Sequence, residues 1–186
     1  MQLVRPGPEH LAAYTDALRR GWSPNTLRAA AAEEELAQIA SDPAAFLALM
    51  DDPLGAGPPV VLPDGSRVTR IPGLRRWMWA DDGFVGSIGL RWMPDGAALP
   101  AHVLGHIGYA VVPWQQRRGY ATAALAQVLP LAREHGLSHV ELTTDPGNIA
   151  STRVITANGG RLVENFDKGA AYGHASGLRF RIELCK

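Results

Sequence analysis

Cysteine is almost absent: Cys185 is the only one among 186 residues, so no intramolecular disulfide can form and a reducing compartment suits the chain without being required. It stands next to the last residue with no neighbourhood to activate it, and reads as filler. Neither sign of charge is in excess, with 18 Lys and Arg against 18 Asp and Glu. Lacking a basic block to grip a polyanion, the chain is not expected to bind nucleic acid. No apolar run reaches the ~18 residues of a membrane span, and no charged and apolar leader opens the chain. The expectation is a cytoplasmic protein with no membrane partner, a monomer or homodimer, folded as one domain over 1–186 with a substantial core.

Several chemistries are missing by spelling. No run ends in Gly-Lys-Ser/Thr, and "GHIGYA" matches a dinucleotide fingerprint only in its glycines while lying inside an apolar strand. "HVLGH" spaces His102 and His106 by four, which along a strand is ~13 Å and too far for a shared metal. "HGLSH" has no Glu where a zincin needs one, and "GSIGL" and "GHASG" are not nucleophile elbows. No metal is expected.

What is present is an alternation of strands and helices. "QLV" is a first strand, and Leu11, Tyr14, Ala17 and Leu18 fall at helical spacing before Gly21. An alanine-rich amphipathic stretch follows, with Asp42 and Pro43 opening a further short helix. Residues 54–73 are turn-rich, a surface excursion. "LRRWMWA" and "FVGSIGLRWM" flank Asp81 and Asp82 as a hairpin, and "VLGHIGYAVV" is a fourth strand, apolar on both faces. Ala121, Leu125, Val128, Leu129 and Ala132 then line one helical face, with a kink expected at Pro130. "HVELTT", a helix in "NIASTRVITANGG", "RLVENF" and "GLRFRIEL" complete one mixed α/β domain.

The informative junction is "VVPWQQRRGYATAAL", where a strand becomes a helix through Gln116, Arg117, Arg118 and Gly119. The first turn of a helix exposes N–H groups without intrahelical partners and carries partial positive charge, so it suits an anion. Gly119 lets a ligand lie against the main chain, Ala121 keeps the next approach clear, and two arginines add charge. The pattern Gln-x-x-Gly-x-Ala resembles the acyl-CoA pyrophosphate loop of the GNAT superfamily of N-acetyltransferases. A second anchor lies in "NIASTRVITANGG", similar to the later GNAT helix, with Asn148, Ser151 and the glycine pair after Asn158.

That resemblance implies a mixed, mostly antiparallel sheet with helices on both faces and the fourth and fifth strands splayed apart. It assigns 1–60 to the N-terminal strand and acceptor-side helices, and 104–164 to an acyl-CoA-binding core. Tyr109, Ala110 and Val111 would line the pantetheine through main-chain groups, Arg117, Arg118, Gly119, Tyr120, Ala121 and Thr122 would wrap the pyrophosphate, and Asn148, with Ser151 beside it, would meet the pantetheine arm. The implied reaction is acetyl transfer from acetyl-CoA to a primary amine by direct attack in a ternary complex. Small amine metabolites, an antibiotic and a peptide amine all stay open as acceptors, and a noncatalytic acyl-CoA sensor is the alternative.

Acyl transfer to an amine needs a neutral amine, an oxyanion donor and an acid for the thiolate. The family's usual Tyr, seven residues after the helix Asn, is Ile155 here, and its strand-five Glu is Thr143. Substitutes are His106, Tyr109 and Glu141, with Tyr172 and His174 in the loop before the last strand; the Val111 N–H is the expected oxyanion donor. His106 is the first candidate base, since imidazole titrates near neutrality; the alternative is a packed histidine bonded to a neighbouring strand. Trp77, Trp79 and Trp92 suit either a core or a pocket, and Trp22 is the preferred pocket residue.

Overall fold

The computed structural model describes residues 1–28 and 30–184, apart from the side chain of Asp95; Cys185 lies outside the described residues. β1 (Gln2–Val4) leads into α1 (Leu11–Arg19), whose Tyr14, Ala17 and Leu18 recur at the spacing that puts them on one face and are all buried. After α2 (Ala31–Ser41), Asp42 caps α3 (Pro43–Ala48): its carboxylate accepts from the Ala45 N–H at 2.9 Å, and Pro43 follows at the first helical position.

The turn-rich excursion contains more than turns. β2 (Asp51–Asp52) pairs with the next long strand, and β3 (Val60–Val61) and β4 (Arg67–Val68) make a separate two-residue ladder. β5 (Gly73–Ala80) and β6 (Gly83–Arg91) form the expected hairpin, followed by β7 (Ile107–Val111) and α4 (Tyr120–Glu134). β8 (His139–Thr144), α5 (Ile149–Ala157), β9 (Arg161–Asp167) and β10 (Ser176–Glu183) complete the chain.

Apart from the β3-β4 ladder, the strands form two antiparallel sheets, one in the order β1-β5-β6-β7 with β2 also on β5, the other β8-β10-β9. No ladder joins β7 to β8 among the described residues, so the fourth and fifth long strands part as expected. Helices cover both faces. α4 and α5 pack Leu125, Val128 and Ile155 against Ile88, Ile107, Val140 and Leu142, while α1, α2 and α3 pack Tyr14, Ile39 and Phe46 against Trp77, Ala110 and Val112. The alternation along β7 therefore sends Ile107, Tyr109 and Val111 to the α4 side and Ala110 to the α1 side.

Trp22 differs from expectation. Its N–H folds back to the Ala17 carbonyl at 3.1 Å, closing α1, and its ring lies edge-on to Tyr14 and Phe84 with only 4 % of the residue exposed; it belongs to the core, as do Trp77 and Trp92. Beneath α2, Glu35 accepts from Arg75 of β5 at 2.8 Å and from the Tyr14 hydroxyl, a polar anchor between helices and sheet. Burial opposes the Arg75 charge, but Glu35 more than offsets this and holds the guanidinium above its ordinary value.

Candidate active site

The strand-to-helix junction is built from backbone conformation. Val112 still donates to Val85 of β6 at 3.0 Å; Pro113 then starts a single tight turn, and Arg117 and Gly119 both take left-handed backbone, with φ of 65° and 78°. Glycine adopts this conformation without the steric cost other residues meet. Gly119 is the N-cap of α4 and offers no side-chain cap, and the first helical bond runs from Ala123 N–H to Gly119 C=O at 3.0 Å. The N–H groups of Tyr120, Ala121 and Thr122 consequently have no carbonyl within the helix to meet. A Cβ added at Gly119 would touch nothing of the protein within 4 Å, so protein packing leaves the space beside Gly119 open. These features fit a diphosphate.

Side chains hold the loop in place. Arg118 lies 3.8 Å from Asp82 in the β5-β6 turn, Arg117 is exposed, and Arg20 at the end of α1 stacks over the Trp114 ring at 3.6 Å. On the other side, Asn158 donates through Nδ2 to the carbonyls of Thr122 and Val154, at 3.2 and 2.9 Å. This tie between the end of α5 and the first turn of α4 has no signal in sequence beyond the Asn-Gly-Gly that ends the helix. Asn148 caps α5, its Oδ1 accepting from Ser151 N–H at 3.0 Å, which leaves its amide N–H groups pointing outside that bond.

The parting of β7 from β8 exposes main-chain groups. The Val112 to Val85 bond and the Gly86 to Val111 register set the phase of the antiparallel ladder, in which alternate residues turn their N–H and C=O toward the partner strand. Residues 108, 110 and 112 face β6 in this phase; Tyr109 and Val111 turn their N–H groups the opposite way, toward the gap in front of β8. The main-chain groups of Tyr109 and Val111 thus face the gap between the strands, whereas those of Ala110, also expected to line the pantetheine, are engaged with β6.

The three catalytic candidates sit differently. Tyr109 is half-buried on the α5 side, its hydroxyl 3.5 Å from the Ser151 carbonyl, and burial raises its pKa, so the phenol stays protonated. Glu141 on β8 accepts from Arg179 at 2.9 Å and Arg181 at 2.8 Å. Burial works against its charge, but these two hydrogen bonds prevail and hold the carboxyl below its usual range. His106 is 7 % exposed, and its Nδ1 accepts from the backbone N–H of Glu141 at 2.9 Å, the arrangement of a histidine bonded to a neighbouring strand. Burial, helped by His139, Arg91 and Arg179 against the opposing charge of Glu141, pushes its pKa down to about 4.

His106 and Glu141 share a cavity of about 450 Å³ with His139, Arg179, Arg181 and the segment from Gly96 to Val103. Tyr109 and the α4 loop do not line it. Ile155 is a core residue, 1 % exposed. Tyr172 donates to the His102 carbonyl at 2.8 Å, and His174 pairs with Asp167 at 2.8 Å, both in the loop before β10. No group of three or more His, Cys, Asp or Glu that could hold a metal occurs among the described residues, and no described helix is long and apolar enough to cross a membrane.

A family model described as an acetyltransferase (GNAT) domain matches residues 3–161. The chain belongs to the GNAT acetyltransferase family. Among solved structures, Mycobacterium smegmatis RimJ in complex with CoA-disulfide is similar at a TM-score of 0.61 with 20% identity, over 97% of this chain and 80% of that one. RimL, a ribosomal alpha-N-protein acetyltransferase in complex with coenzyme A, is similar at 0.62 with 11% identity, over 98% and 93%. The Microcin C7 self immunity acetyltransferase MccE, in complex with acetyl-CoA and AMP, is similar at 0.61 with 10% identity, over 98% and 91%. No curated protein matches the sequence. At these identities the structural likeness speaks for the fold; the family rests on the matched model.

Proposed function

We propose that this chain is an N-acetyltransferase that takes acetyl-CoA as cosubstrate and acylates a primary amine by direct attack in a ternary complex. The observation that carries the reading is the uncapped start of α4, with its left-handed Gly119 and three N–H groups without helical partners. Acetyl-CoA, when bound, supplies an acetyl group activated as a thioester. Gly119, Tyr120, Ala121 and Thr122 would hold the pyrophosphate with charge from Arg117 and Arg118, and the amide of Asn148, with Ser151, would meet the pantetheine arm beside the main chain of Tyr109 and Val111.

The chemical duties divide among few residues. The Val111 N–H faces the gap and can stabilise negative charge developing on a carbonyl oxygen there. Tyr109 keeps its proton at neutral pH, and the role assigned to it here is to supply that proton to a departing thiolate. Glu141 is held by two arginines and serves as an anchor for β10 rather than a proton acceptor. The proton of the amine leaves to solvent. The acceptor is an amine of a small molecule or of a peptide; of the similar structures, RimL is a ribosomal L7/L12 alpha-N-protein acetyltransferase and MccE a Microcin C7 self immunity acetyltransferase.

Ile155 and Thr143, standing where the family usually carries its acid and base, favour a second reading, a noncatalytic module that binds acyl-CoA. An amine panel with a thiol-release readout separates the two. Acetyl-CoA-dependent thiol release with at least one amine supports the enzyme; CoA binding without release across small amines and N-terminal peptides supports the sensor.

A further inference from the structure

One residue joins the two sheets. His106 sends its carbonyl to β6, accepting from Arg91 N–H at 2.8 Å, while its own N–H turns to β8 and donates to the Glu141 carbonyl at 2.7 Å. That is the one backbone hydrogen bond between the two sheets among the described residues. The return bond, which a regular ladder would take from a carbonyl, is taken by imidazole: Glu141 N–H donates to His106 Nδ1 at 2.9 Å. Just before it, a Cβ at Gly105 would stand 2.8 Å from the Glu141 carbonyl oxygen, so the strands approach here as closely as glycine allows. Beyond this point β7 and β8 separate.

We propose that His106 is a positioning residue, a clamp at the apex of the β7-β8 gap that fixes where the strands part and hence how the main chain of Tyr109 and Val111 meets the acyl donor. With Nδ1 engaged as an acceptor, the neutral ring carries its hydrogen on Nε2. In that tautomer Nε2 has no lone pair to receive a proton from an amine, and using Nδ1 would break the bond to Glu141. The ring offers the neighbouring cavity a donor instead of a base. The lowered pKa, caused first by burial and then by the charges of His139, Arg91 and Arg179, agrees with a neutral ring. The proposal rests on the acyl-CoA reading for its consequence, although the clamp itself is a statement about the free protein.

The test compares His106→Asn, whose Oδ1 occupies nearly the place of Nδ1, with His106→Gln, whose amide reaches toward Nε2. A clamp predicts that Gln weakens CoA binding by tenfold or more in calorimetry and that Asn restores it to within about threefold of wild type, with the acidic limb of the rate profile retained. A base predicts the reverse: both variants bind CoA normally and lose roughly 10²-fold in turnover, the usual scale of general base catalysis. That outcome overturns the proposal. Should either variant fail to fold, the ring nitrogens of wild type decide by NMR at pH 7. An unprotonated Nδ1 with protonated Nε2 supports the clamp, and a proton on Nδ1 contradicts it. The NMR result stands whether or not wild type binds CoA, so failure of the clamp and failure of the acyl-CoA reading are told apart.

Discussion

Lowering the pH should weaken this fold earlier than its carboxylates alone would require, because His106 binds its proton far more readily when the chain is unfolded. The folded pKa is about 4 against an ordinary value of 6.5. A depressed histidine contributes stability that is complete above the unfolded pKa and is lost as pH falls, the unfolded state taking up the proton first. The window runs from about pH 6.5 to about pH 4, below which both states are protonated and the loss stops growing. At 1.36 kcal/mol per unit the full effect is about 3 kcal/mol, of which about 2 kcal/mol falls between pH 7.5 and pH 5. Against a typical stability of about 5–15 kcal/mol this is measurable. Urea unfolding of wild type and His106→Asn at several pH values isolates it, since other groups cancel in the comparison. The wild-type curve should fall more steeply by about 2 kcal/mol over that interval. Parallel curves would refute the buried, neutral, strand-bonded ring.

Two further predictions concern residues with separate tasks. Glu35→Ala leaves the Arg75 guanidinium and the Tyr14 hydroxyl without their shared partner. With Arg75 about a third exposed, unfolding free energy should drop by about 2 kcal/mol, and CoA affinity should stay within twofold; a neutral effect in denaturant titration would mean that water replaces the carboxylate. Tyr109→Phe removes the phenolic proton while keeping the packing on the α5 side. Turnover should fall about 10²-fold, CoA affinity should hold, and the alkaline limb of the rate profile should vanish; an unchanged profile would assign the acid elsewhere.

The parts of this molecule legible in sequence are those carried by periodicity and local chemistry. The spacing of Tyr14, Ala17 and Leu18, the Asp42-Pro43 start and the Gly119 hinge each act over a few residues, and each stands in the structure as a helix face, a cap and a helix start. β2, β3 and β4 escaped because two residues cannot display a period. Trp22 misled for a different reason: its position between two helices suggested a pocket, whereas the turn that closes α1 tucks the ring under Phe84. The bonds that position the site are non-local. His106 meets Glu141, Asn158 meets Thr122 and Arg75 meets Glu35 across 35, 36 and 40 residues, and a polar residue type alone does not name its partner at such separations.

The central claim, that the start of α4 is a pyrophosphate site, is tested most directly by calorimetric titration of CoA into wild type and Gly119→Val, with circular dichroism confirming that both are folded. Val is disfavoured at a φ of 78° and places two methyl groups on the open side of the loop. The account predicts binding by wild type and a loss of affinity of about a hundredfold or more in the folded variant, the equivalent of about 2.7 kcal/mol. Equal CoA affinity in the two proteins, or no binding by wild type at millimolar CoA, would contradict it.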